Sequence, residues 1–285
     1  MMTHRSFRTA GLLSALALVM LLASCDQAIT TAYTEQLNVA CFLYADAPVD
    51  SVVLHRTTPF GAYYDDLDFA VDSATVVITV DGVAHTLKAG ATKGRYYLPP
   101  SELTIEGGKT YTLTVTAPNH QTGGLHHLYA TTTVPMPITL DPRVDSIRGR
   151  TVTLDTNQLA SFAFIVAAGP VDEPNRKYLL TVEALDTSYG KIHQRREGPD
   201  SVQRLRYSFT QTGPAIAVTS RLFGWYGPSK LTFYAIDTNW YDYQRQLLAA
   251  TATLYQPSLN HITGGMGIFA SGGRDTVSFV LLPKK

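Results

Sequence analysis

KTYTLTVTA, Lys109–Ala117, sets Tyr111, Leu113 and Val115 in alternation with threonine. A period of two places the apolar side chains on one face and the threonines on the other, so the stretch reads as a half-buried β-strand. Gly107-Gly108 supplies the turn that feeds it.

The same grammar extends in both directions. Ala74–Val80 and Val83–Leu87 flank Asp81-Gly82, a two-residue hairpin signal in which both turn positions need positive φ. Leu37–Tyr44, Ser51–Arg56 and Arg95–Leu98 read as strands, the last stopped by Pro99-Pro100. His127–Val134 is closed by Pro135 and Pro137. Short strands at this spacing predict a sandwich over 36–138. Three prolines at 135, 137 and 142 mark a boundary. Beyond it, Thr151–Leu154, Ala160–Ala167, Tyr178–Leu185, Arg204–Thr210, Ala215–Thr219, Lys230–Ile236 and Thr276–Leu282 read as strands of a second sandwich over 139–285. Only NWYDYQRQLLAA, residues 239–250, reads as a helix. Its Trp240, Tyr243, Leu247 and Leu248 recur at helical spacing, and Asn239 or Asp237 can cap it. The expected fold is therefore all-β, with two β-sandwich-like (immunoglobulin/prealbumin-like) domains and one short helix in the C-terminal half.

Composition narrows the function classes. The 285 residues carry 23 Lys+Arg, 23 Asp+Glu and 45% hydrophobic residues. Only 16% are charged, against about 25% in an average soluble protein. A neutral chain lacks the global basic field of a nucleic-acid binder, and this apolar content argues against disorder.

Residues 1–24 read as a signal. Arg5 and Arg8 precede the apolar run Gly11–Leu22, and Leu22-Ala23-Ser24-Cys25 closes it. The run falls short of the roughly 20 residues a spanning helix needs. The closing tetrapeptide has the form of a bacterial lipobox, in which the Cys25 thiol accepts a diacylglyceryl group. Cleavage before Cys25 removes two bases and no acid, so the mature chain carries a small net negative charge. Cys25 and residues to 35 then form a lipidated tether, and membrane attachment runs through that lipid. With Cys25 acylated, Cys41 has no second cysteine to pair with. It is expected as a small buried hydrophobe and not in a disulfide.

The order of these pieces resembles a known family. The lipobox is followed by LNVACFLY, SATVVITVDG, GKTYTLTVTAPNH and TTTVP, and then by NHITGGMGIFASGGRDTVSFVL. Gly108–Pro118, Asn260–Val280 and the helix with Tyr241 and Tyr243 carry most of the likeness. The chain resembles the Bacteroidota envelope lipoprotein family called domain of unknown function 4249. That resemblance implies an envelope lipoprotein, usually encoded near TonB-dependent outer-membrane receptors. It implies no activity, ligand or catalytic residue.

Several constellations bear on chemistry. His120, His126 and His127 are the densest histidines, but neighbours on a strand point to opposite faces and cannot readily share a metal. Asp65, Asp66, Asp68 and Asp72 form an acidic loop without the spacing of a calcium-binding hand. Gly264–Gly267 lacks the lysine and following helix of a phosphate loop, so a bulge or a close backbone approach is expected. No nucleophile elbow occurs. No catalytic residue, metal site or cofactor is assigned. The candidate recognition residues are loop aromatics: Tyr63 and Tyr64 after Gly61, and Trp225 and Tyr226 between Gly224 and Gly227-Pro228. Capping of the sandwich ends is the alternative reading for them. The expectation is a non-enzymatic outer-membrane lipoprotein that partners a TonB-dependent receptor. An adhesin-like or scaffold module, or a hydrolase, stays open beside it.

Overall fold

The computed structural model describes residues 33–59, 61–63, 65–138, 140, 146–154, 163–167, 176–192, 205–210, 215–219, 222–249 and 261–283. The chain divides at Thr34, and the unit Glu35–Lys285 carries every element below.

One strand organises this unit. β16 (Gly265–Pro283) runs for 19 residues, about 60 Å of extended chain. Its first part pairs in parallel with β1 (Leu37–Tyr44), from Leu37 opposite Gly265 to Tyr44 opposite Gly272. Its second part pairs antiparallel with β14 (Gly227–Ile236), from Ile236 opposite Gly272 to Gly227 opposite Leu281. β1 continues to β2 (Val52–Arg56), β6 (Arg95–Tyr97) and β5 (Lys88–Ala89), while β14 continues to β11 (Lys177–Ala184) and β12 (Leu205–Thr210). β9 (Thr151–Leu154) pairs in parallel with the end of β16. The two halves expected on either side of residue 138 thus share one nine-stranded sheet.

A second sheet of five strands orders β15 (Ile262–Thr263), β8 (Leu125–Thr133), β7 (Thr110–Pro118), β3 (Thr75–Val80) and β4 (Val83–Thr86). β7 is the alternating stretch, and its burial alternates with its sequence. Asp81 and Gly82 take φ of 51° and 78°, as the β3–β4 hairpin requires. The inner faces of both sheets meet in one core, where Val39, Cys41 and Leu43 of β1 pack with Ile78, Tyr111, Leu113, Val115 and Leu128. A second core gathers Tyr178, Leu180 and Val182 of β11, Leu231 and Phe233 of β14, and Val277, Phe279 and Leu281 of β16. A two-stranded sheet pairs β10 (Ala163–Ala167) with β13 (Ala215–Thr219). The architecture is all-β and two-sandwich.

Two helices interrupt the strands among the described residues. α1 (Asp66–Phe69) is a single turn that the sequence did not announce, capped by Asp65 Oδ1 accepting from Leu67 N–H at 2.8 Å. α2 (Thr238–Ala249) covers the outer face of the shared sheet. Trp240 and Tyr241 are buried there among Ile268 and Ala270 of β16, Leu179 of β11 and Phe42 of β1. Burying such side chains is worth about 1.5–3 kcal/mol each, so packing and not propensity holds this helix.

The glycines between β15 and β16 make the crossover between sheets. β15 pairs with β8 in the five-stranded sheet, whereas β16 pairs with β1 in the other. Gly264 (φ +77°) lies against the His127 carbonyl, and Gly267 (φ +110°) against Val39, with no room for a Cβ at either place. This is the close backbone approach expected from the glycine run.

Candidate functional site

Among the described residues, a cleft of about 450 Å³ opens where the two halves meet. Thr131–Thr133 of β8, Val134, Pro135 and Gly108 form one wall, and Arg176, Lys177, Ile236, Asp237, Thr238 and Asn239 form the other. The volume lies within the range of about 300–1,000 Å³ typical of small-molecule sites.

Asp237 is the centre of the second wall. It sits between β14 and α2, and its Oδ1 accepts the Trp240 N–H at 2.9 Å, which makes it the N-cap. Its Oδ2 accepts from the Thr132 hydroxyl at 2.5 Å, and Thr132 also meets Ser271 Oγ at 2.6 Å. The carboxylate therefore ties α2 to β8 across the cleft. Burial pushes its pKa up from 3.8, opposed by the hydrogen bonds from Thr132, Trp240 and the Ser271 backbone and by the His261 charge. Asn239 donates its amide N–H to the carbonyls of Thr131 (2.6 Å) and Phe269 (2.9 Å), a second bond across the junction.

Two cations share this wall. Arg176 is 5% exposed and donates to the Pro137 carbonyl at 3.3 Å. Lys177 Nζ donates to Thr238 Oγ1 at 2.8 Å and stands 5.2 Å from the centre of the Tyr241 ring. Nothing in the sequence groups these residues. The cleft lining comes from four separate segments, which the sheet pairing and the capping of α2 bring together.

The residues singled out in the sequence are scattered. Tyr63 is 87% exposed. Its loop leaves β2 beside the chain entry, where Thr57 N–H donates to the Gln36 carbonyl at 2.9 Å. Tyr64 and Cys25 lie outside the described residues. Trp225 is half-buried, with Lys191 Nζ 5.3 Å from its ring centre. Tyr226 requires a correction: it is 9% exposed and belongs to the second core, so its ring is not a recognition surface. The residue before a strand start alternates faces, and Tyr226 takes the inward one. Gly265 and Leu281 mark the ends of β16 nearest the two loops, about 50 Å apart along the strand. The structure does not bring Tyr63 and Trp225 together. Tyr189, 51% exposed, is an aromatic that the sequence reading missed; its ring lies against Gly227, beside Trp225.

His126 and His127 do face opposite ways: His126 is buried against Glu35, and exposed His127 meets Thr116 Oγ1 at 3.3 Å. Among the described residues, no group of three or more His, Cys, Asp or Glu is arranged to hold a metal ion. Cys41 is a buried free cysteine.

The family described as domain of unknown function 4249 (DUF4249) matches residues 25–277. The chain belongs to this family. The DUF4249 match spans both sandwiches and includes most of β16. No curated protein matches the chain. A two-domain fibronectin type III segment from chicken tenascin is similar at 8% identity and a TM-score of 0.20, over 87% of this chain and 99% of that one.

Proposed function

We propose that the protein is an envelope lipoprotein, anchored through lipid on Cys25, that serves as a non-enzymatic accessory of a TonB-dependent outer-membrane receptor. One observation carries the anchor. Leu22-Ala23-Ser24-Cys25 closes a short apolar run, and the DUF4249 match begins at Cys25 itself. Among the described residues no helix is long and apolar enough to cross a membrane. More than one acyl chain gives stable attachment without a span, and residues 26–35 then lead from the lipid to the sheet. The receptor link is supported by the likeness to lipoproteins encoded beside such receptors. Exposed Tyr63 at one end of the body and Tyr189 at the other offer the rigid aromatic contacts that partner recognition uses.

Two experiments test this reading. In detergent partition, the wild-type chain stays with the membrane phase and Cys25→Ala is released; equal retention of both removes the anchor. Affinity capture of the tagged, lipidated protein from its native envelope recovers a TonB-dependent receptor by mass spectrometry. Capture that leaves the receptor behind, under conditions that preserve other envelope complexes, removes the receptor role.

A further inference from the structure

The cleft between the halves has a chemistry of its own, independent of the lipid anchor and the receptor. Its walls carry two cations, Arg176 and Lys177, and one carboxylate, Asp237. Both oxygens of that carboxylate are already engaged by donors of the protein itself, Trp240 N–H and the Thr132 hydroxyl. Lys177 shares the wall with Arg176 and Asp237, and its ammonium meets two neutral groups, the Thr238 hydroxyl and the face of Tyr241. An ammonium held this way keeps its capacity to attract an anion, because neither a hydroxyl nor an aromatic face cancels its charge.

The rest of the lining is rich in hydroxyls. Thr131 and Thr133 are exposed on β8, on the face opposite Thr132, so they belong to the rim of the cleft and not its floor, and Thr238 opens α2. Thr133 Oγ1 meets Thr110 Oγ1 at 2.9 Å, and whichever donates, Thr133 keeps at least one free lone pair for a ligand. Apolar lining is confined to Val134, Pro135 and Ile236. A cleft of about 450 Å³ with this lining suits a ligand of monosaccharide size, and too little apolar wall is present to hold a lipid chain or an aromatic drug-like molecule.

We propose that this cleft binds a small hydroxylated organic anion, with Lys177 meeting the anionic group and Thr131, Thr133 and Thr238 meeting the hydroxyls. The anionic group is a carboxylate or a phosphate, and the two are separable by experiment. Because the ligand would touch β8 on one side and the start of α2 on the other, its binding draws the two halves together at their junction.

The test is calorimetric titration of the full mature chain, at physiological ionic strength, with glucuronate, glucose 6-phosphate and glucose. The expected result is saturable binding of at least one of the two anions and none of glucose. Which anion binds identifies the group. Lys177→Gln is expected to weaken that binding about tenfold or more, the usual weight of a hydrogen bond to a charged group. Thr131→Asp, which adds a negative charge at an exposed position of the opposite wall, is expected to abolish it while leaving the urea midpoint unchanged. Absence of binding by both anions overturns the proposal. So does binding of glucose equal to that of the anions, or unchanged affinity in both variants.

Discussion

The Glu35 carboxylate and the His126 ring meet at 3.0 Å, both 9% exposed and 91 residues apart in sequence. Glu35 Oε1 also accepts the His120 N–H at 3.0 Å, and Glu35 N–H donates to Gln121 Oε1 at 2.8 Å. The first residue of the folded unit is thereby fastened to the β7–β8 hairpin. Removing one partner leaves the other buried without its mate. His126→Leu is expected to lower unfolding stability by about 1–3 kcal/mol. Combining it with Glu35→Leu should cost less than the two single changes together. Urea unfolding of the four chains measures the coupling, and strict additivity would show that the pair contributes nothing.

Gly267 and Gly264 tolerate no Cβ, since the Val39 and His127 backbones already occupy that space and both glycines hold positive φ. Gly267→Ala should therefore prevent the crossover from one sheet to the other. Loss of soluble folded protein, or a drop of several kcal/mol in stability, is the expected outcome. Gly124→Ala is the control: its Cβ would meet only Thr122 Oγ1 at 3.4 Å, and a change within about 0.5 kcal/mol is expected. Similar circular dichroism melts for both variants would contradict this account.

Cys41 sits at 1% exposure in the first core, and burial, with a smaller push from Asp50, raises its thiol pKa from 9.0 to about 12. The thiolate is the reactive form. At neutral pH the native protein should resist iodoacetamide for as long as it stays folded, and modify in step with denaturant unfolding. Rapid labelling of Cys41 in buffer would mean that β1 opens far more often than its packing between β16 and β2 implies.

Asp237 couples stability to pH with the opposite sign to most carboxylates. Its folded pKa is raised above 3.8 by burial, so the folded protein holds this proton more tightly than the unfolded chain. The stability it contributes is complete below its unfolded pKa and is lost as pH rises through the folded value. Asp237→Asn keeps an N-cap acceptor and removes the titration. The variant should lose less stability than the wild type as pH rises from the unfolded carboxylate range towards neutrality. Parallel stability–pH curves for the two chains would show that the side chain does not titrate in that window.

Much of the fold was legible because strands announce themselves locally. The alternation in Lys109–Ala117, the Asp81-Gly82 turn and the helical spacing around Trp240 each appear where the sequence put them. Long-range pairing was not legible. Nothing in Ile268–Ser271 says that one edge meets β1 while the residues after Gly272 meet β14. Ser271-Gly272-Gly273-Arg274-Asp275 falls at the change of partner and reads as a turn, so Thr276–Leu282 reads as a strand of its own. Tyr226 was misjudged for a related reason. Glycines on both sides suggest an exposed turn, but they serve a tight strand entry whose inward position Tyr226 fills. The cleft was invisible, because its charged residues are unremarkable singly and Thr132 and Asp237 are 105 residues apart.

The double partnership of β16 has a consequence for biosynthesis. Residues 265–272 complete the sheet that begins with β1, so the earliest strand waits for nearly the latest one. Until that segment emerges, β1 offers one unpaired edge, and Phe269 is missing from the first core. β14 waits likewise for residues 272–281. Contacts this distant in sequence form slowly, so neither half closes before β16 has been made. On the envelope role proposed above, that delay keeps the chain threadable until β16 is made.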